Sequence, residues 1–122
     1  MTGAVAARYQ HLTADLLGVA DAQLRDERLI SGLVVAAAPA AGYSATGYSA
    51  THVPSIRPLP HGGVAVLLLL DASHIAVYTA PERGLLLLDV FGDAAHDPRK
   101  ALEVFTRRLT AREVRSEVRA RG

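Results

Sequence analysis

The reactive side chains of this chain that stand in a usable setting gather between positions 71 and 93. Ser73 and His74 form a small polar pair between an apolar run, Val64 to Leu70, and an alternating segment, His74 to Tyr78, that fits a strand. A serine hydroxyl becomes a nucleophile when a neighbouring group takes its proton, and this one falls at a strand junction. Tyr78 closes the alternating segment; its phenol can donate a hydrogen bond or a proton, but with an unperturbed pKa of about 10 it is a poor base. Glu82 lies in a short turn punctuated by Pro81 and Gly84, and Asp93 follows the next apolar run, Leu85 to Leu88 with Asp89-Val90-Phe91. Each residue also has an ordinary reading. Ser73 and His74 read alone as a turn serine and a satisfied histidine, Tyr78 as a strand aromatic, Glu82 as an exposed carboxylate, Asp93 as a loop carboxylate and Asp89 as a partner of local backbone.

Other chemistries are excluded by what the chain lacks. It has no cysteine, so neither a disulfide framework nor a thiolate nucleophile or metal site is available. His11, His52, His61 and His96 show no helical metal-ligand spacing, and no metal is expected. The formal net charge is +1, and the arginines that cluster after Arg107 are interleaved with Glu113 and Glu117, which reads as a solvated face and not a nucleic-acid surface. The apolar runs fall far short of the ~20 residues of a membrane span, and Met1 to Ala7 is too short for a signal-peptide core. The expectation is a soluble, cytoplasmic protein whose 122 residues form one domain, small enough that oligomerisation would help it.

The elements that must position these residues follow from periodicity and punctuation. Tyr9 to Leu17 alternates and stops at Gly18, a first strand. Asp21 offers an N-cap for a helix in which Leu24, Leu29, Ile30, Leu33, Val34 and Ala37 recur at helical spacing, with Gly42 as its stop and Pro39 expected to end its order near Ala38. Tyr43 to Val53 reads as a half-buried strand, and Pro54, Pro58, Pro60, Gly62 and Gly63 as a loop. After the three strands around Ser73, Gly92 to His96 reads as a loop. Asp97-Pro98 starts a second helix that buries Leu102, Phe105 and Leu109. The tail from Glu113 to Arg119 fits either a helix opened by a capping box at Thr110 or an edge strand. The order predicts an α+β two-layer sandwich, an antiparallel sheet covered on one face by two helices.

Ser73-His74, Thr79, Pro81-Glu82, Gly84 and Asp89-Val90-Phe91 stand at matching spacing to a pattern that resembles the prokaryotic S-adenosylmethionine decarboxylases, small pyruvoyl-dependent enzymes of polyamine synthesis. His11-Leu12, Asp15-Leu16, Gly42, Asp97-Pro98, Ala101 and Phe105 extend the resemblance over nearly the whole chain. It resolves the tail as a strand and implies that two units associate through their sheets.

The resemblance also implies a reaction. The Ser73 hydroxyl would attack the carbonyl of Ala72, an N-to-O acyl shift would give an ester, and elimination would split the chain into fragments 1–72 and 73–122, the second opening on a pyruvoyl group derived from Ser73. That carbonyl would form a Schiff base with a substrate amine and act as the electron sink for decarboxylation, with no metal. Glu82 would hold substrate, and Tyr78 and Asp93 occupy the positions or neighbourhood of the family's catalytic histidine and cysteine. Four further departures stand out: Ala65 falls at a processing serine, Ala72 at a glutamate, Ala80 at the aromatic that lies against the nucleoside, and no cysteine follows Phe91. Two readings follow. One is a decarboxylase of S-adenosylmethionine or a related amino acid, acting as a homodimer. The other is an unprocessed, inactive paralogue that binds a ligand or a partner such as an active paralogue.

Overall fold

A computed structural model of the chain describes residues 6–44 and 53–122. Six strands form one sheet: β1 (Tyr9–Leu17), β2 (Ser55–Pro58), β3 (Val64–Leu69), β4 (His74–Ala80), β5 (Leu85–Asp93) and β6 (Glu113–Arg121). Their order across the sheet is β2-β3-β4-β5-β1-β6, and every neighbouring pair is antiparallel. The helices are α1 (Asp21–Leu24), α2 (Glu27–Ala41) and α3 (Arg99–Arg108). The expected two-layer α+β arrangement is what the chain adopts, with the helices packed on one side of the sheet.

Period-two alternation divides the residues between the faces. Leu12, Ala14, Leu16, Val64, Val66, Leu68, Ile75, Val77, Leu86, Leu88 and Val90 are buried beneath the helices, which supply Ile30, Val34, Ala37, Ala101 and Phe105. Thr79 lies on the same face and stays polar because its hydroxyl donates to the Leu24 carbonyl at 2.9 Å and accepts from the Val64 amide at 2.9 Å. On the opposite face Leu67, Leu69, Tyr78 and Leu87 are exposed. Apolar residues of β3 and β5 thus stand on both faces, while within one chain only one face is covered.

The helical region differs from its sequence reading. One helix from Asp21 becomes two, because Asp26 accepts a hydrogen bond from the Leu29 amide at 3.0 Å and so caps a new N-terminus at Glu27, while Ala20, not Asp21, precedes α1. Nor does Pro39 end α2 near Ala38. It is exposed, where its ring meets no packed neighbour, and the helix runs to Ala41. The stop is at Gly42, whose φ of 87° is left-handed. There the Tyr43 amide donates to Ala38 at 2.9 Å and the Gly42 amide to Pro39 at 3.0 Å, the paired bonds of a glycine-terminated helix.

The proline-rich stretch read as loop contains β2. Pro58 is tolerated there because β2 is an edge strand whose outer side has no ladder to complete. Most of the strand expected over Tyr43 to Val53 lies outside the described residues; Tyr43, Ser44 and Val53 are not in a strand. β5 continues through Gly92 to Asp93, paired with Tyr9 and Gln10, so the expected loop begins later. The tail is the strand β6, mostly exposed, with arginine and glutamate along it as suits an edge.

Candidate active site

The link between β3 and β4 is a tight turn closed by the Leu70 amide donating to the Ser73 carbonyl at 2.9 Å. The Asp71 amide donates to the Ser44 carbonyl at 3.1 Å and ties this turn to the segment that follows α2. Ala72 is exposed, whereas Ser73 is 8% exposed. The Ala72–Ser73 bond therefore spans the boundary between solvent and interior. Beneath it lies a cleft of ≈ 70 Å³ lined by Tyr43, Ser73, Asp93 and His96 together with turn residues.

Asp93 and His96 are held together by the turn that ends β5. The Asp93 carboxylate accepts from the Ala95 amide at 2.9 Å and lies 2.7 Å from His96 Nδ1. Partial burial works to raise the Asp93 pKa, but the bonds from His96 and Ala95 and the attraction of the His96 charge outweigh it and hold the carboxyl below its ordinary value. His96 also meets the edge of the Tyr43 ring, with centroids 5.8 Å apart at 67°.

Tyr43 is 4% exposed, and among the described residues its buried hydroxyl has no hydrogen-bond partner. Burial, reinforced by the negative charges of Asp93 and Asp97, pushes its pKa up to about 12, so the phenol keeps its proton. Gly92 makes room for it: a Cβ there would stand 2.8 Å from the Tyr43 oxygen.

Tyr78 and Glu82 lie elsewhere. Tyr78 is 54% exposed on the open face, directly opposite Ala65 across the β3–β4 ladder. Glu82 is exposed in a turn that Gly84 completes at φ 62°. With Ala80, Leu87, Leu59 and Pro60 these two residues border a depression of ≈ 250 Å³. The structure thus brings Ser73 together with Asp93, and Tyr78 together with Glu82, in two separate places. Other open-face groups include the His11–Asp89 pair at 2.6 Å and a stack of Tyr9, Phe91 and His74. Asp89 therefore has a side-chain partner and not the local backbone its sequence context suggested.

Sequence reasoning did not assign Tyr43 or His96 a role at Ser73. Tyr43 read only as a strand residue after the helix stop, and His96 was weighed only as a metal ligand. The available signal was His96 standing three residues after Asp93. Among the described residues there is no cluster of three or more histidine, aspartate or glutamate side chains suited to a metal, and no helix is long and apolar enough to cross a membrane.

Comparison with known proteins assigns the chain to a family. A family model described as S-adenosylmethionine decarboxylase matches residues 10–122. The arginine decarboxylase proenzyme of Aeropyrum pernix is 33% identical over 104 residues, covering 84% of this chain and 76% of that protein. The S-adenosylmethionine decarboxylase proenzyme of Pyrobaculum neutrophilum is 31% identical over 117 residues, covering 93% and 90%. The crystal structure of the adenosylmethionine decarboxylase of Aquifex aeolicus superimposes with a TM-score of 0.81 at 23% identity, over 97% of this chain and 93% of that one, a likeness of fold. With nearly all of its length matched in this way, the chain belongs to the S-adenosylmethionine decarboxylase family.

Proposed function

We propose that this chain is the proenzyme of a pyruvoyl-dependent decarboxylase that acts on an amino acid in polyamine synthesis. The observation that carries the reading is the Ala72–Ser73 bond, between an exposed alanine and a serine sunk into a cleft beside a carboxylate–imidazole pair. A pyruvoyl group derived from Ser73 would supply an electron sink for loss of CO2. The cleft suits it: ≈ 70 Å³ holds a small group and water, and is far below the 300 Å³ or more of ordinary ligand pockets. Tyr78 lies five strand residues, about 16 Å, along β4 from Ser73, so the Glu82 depression would receive the far end of a substrate only from across the homodimer proposed below.

The substrate is more in keeping with arginine than with S-adenosylmethionine. Ala80 offers no ring for a nucleobase to stack on, whereas the Glu82 carboxylate can accept two hydrogen bonds from a guanidinium. The relatives include proenzymes of both substrates, which supports the reaction class and leaves the choice open to experiment. Release of labelled CO2 from each amino acid in turn measures the preference; turnover of S-adenosylmethionine alone would reject the arginine reading.

Self-cleavage is tested by intact mass spectrometry after prolonged incubation. Fragments 1–72 and 73–122, the second blocked by a keto group and both absent in Ser73→Ala, are the expected result. A full-length mass that never changes would reject the enzyme and favour the unprocessed, ligand- or partner-binding paralogue, for which the apolar Ala65 facing Tyr78 argues. The oligomer we propose is a homodimer joined through the open face, where Leu67, Leu69, Tyr78 and Leu87 are exposed beside a charged half in which Asp15 pairs opposite Arg115 and β6 alternates Arg115, Glu117 and Arg119. Sedimentation showing only monomer at micromolar concentration would reject it.

A further inference from the structure

Two strands of geometry converge on the covered side of Ser73. β4 and β5 pair with His74 opposite Phe91, and carrying that register one residue further sets Ser73 opposite Gly92. Directly opposed residues of an antiparallel pair have side-chain origins about 4.5–5.5 Å apart on the same face. At Gly92 no side chain fills that space, and the Tyr43 hydroxyl does: it would stand 2.8 Å from a Cβ built there. A buried hydroxyl without a partner is costly, and this one borders the cleft that also contains Ser73. Its own ring is fixed by the turn after Gly42 and by the edge contact with His96.

We propose that Tyr43 is the hydrogen-bond donor for self-cleavage at Ala72–Ser73, and that the Asp93–His96 pair in the same cleft supplies the base. This rests on the proposed processing of the chain and assigns residues to it. Asp93 at His96 Nδ1 sets the tautomer in which Nε2 carries the lone pair. Nε2 takes the proton of Ser73 Oγ as that oxygen bonds to the Ala72 carbonyl carbon. The carbonyl oxygen becomes an oxyanion, and the Tyr43 O–H donates to it. The oxyanion collapses, the bond from the Ala72 carbon to the Ser73 nitrogen breaks, and the proton passes from His96 to that nitrogen, leaving an ester. His96 Nε2, neutral again, takes the Ser73 Cα proton as the Ala72 carboxylate is expelled; the resulting enamine is reprotonated at its CH2 carbon to an imine, and water then replaces the nitrogen, which leaves as ammonia. The high pKa of Tyr43 keeps it a donor throughout.

Tyr43→Phe keeps the ring and removes only the oxygen, so stability and cleavage should separate. The expected result is cleavage slowed about 10²-fold to 10³-fold, followed by intact mass over time, with a melting temperature equal to or above that of the unaltered chain because an unsatisfied buried hydroxyl has gone. His96→Ala should slow cleavage by roughly 10²-fold to 10⁴-fold, with partial rescue by added imidazole, which a purely structural histidine would not give. If the unaltered chain is cleaved and both variants match its rate, the assignment is overturned while the enzyme reading survives. Loss of cleavage in Tyr43→Phe only in step with a lowered melting temperature also overturns it. An unaltered chain that never cleaves removes the enzyme reading and this inference together.

Discussion

On the two sides of the sheet stand two tyrosines beside candidate site residues, and the fold treats them in opposite ways. Tyr43, beneath the helices, is 4% exposed with an unpartnered hydroxyl; Tyr78, on the bare face, is 54% exposed beside Glu82 and Ala80. The first has been paid for in desolvation and its pKa pushed up to about 12, whereas the second stands where a ligand or another chain could reach it. On the proposed reading, self-cleavage at Ser73 would use the small cleft and its donors, while the open depression with its carboxylate would contribute to substrate binding. The β3–β4 turn joins them, since Ser73 is inward while His74 begins the outward row that leads to Tyr78.

If the faces divide the work in this way, substitutions on the covered face should be read mainly in stability. Phe105→Ala, at a side chain with 0% exposure between α3 and the sheet, should cost about 3–5 kcal/mol in denaturant unfolding. Leu69→Ala, at 72% exposure on the bare face, should move the same measurement by no more than about 0.5 kcal/mol. Equal costs at the two sites would dissolve the comparison, unless the Leu69 cost varied with protein concentration, which would assign it to association.

Thr79→Val tests whether the covered face tolerates a lost polar contact. It would leave the Val64 amide and the Leu24 carbonyl without the hydroxyl that now bonds both at 2.9 Å, for a loss of about 1–3 kcal/mol. On the bare face the corresponding change is a gain. Ala80→Trp should tighten S-adenosylmethionine by about 1–3 kcal/mol in calorimetric titration, because it restores a stacking surface next to Glu82. No gain in affinity would mean that the nucleoside is held away from this depression.

The smallest effect is one of pH. Asp93 has a folded pKa below its ordinary value, so its hydrogen bonds stabilise the fold above the unfolded carboxylate pKa of about 3.9 and are lost as pH falls from there through the lower folded value. Asp93→Asn should therefore flatten the acid limb of the stability curve over that window alone. At the other end, absorbance titration should show a phenol ionising near 12, and Tyr43→Phe should remove that step.

Periodicity and punctuation in the sequence determined most of the architecture. The alternation of Tyr9 to Leu17 and His74 to Tyr78, the Gly42 stop and the Asp97-Pro98 start all depend on local backbone preferences, and they correspond to β1, β4, the end of α2 and the turn into α3. The spacing of Ser73, Glu82 and Asp89-Val90-Phe91 was enough for the family, because a motif is a linear object. The extent of α2 past Pro39 was not legible, since it depends on which side of the helix meets solvent. β2 was hidden for a related reason: only its place at the edge makes Pro58 tolerable. Nor could the sequence decide which polar groups share a cleft. Tyr43 lies 30 positions before Ser73 and His96 lies 23 after it, and local preferences carry no information on such distances. The end of α2, the β3–β4 turn and the turn after β5 meet at one end of the sheet only because antiparallel pairing and the packing of α2 and α3 bring them there, and an unpartnered hydroxyl becomes visible only when the residues around it have been brought into place.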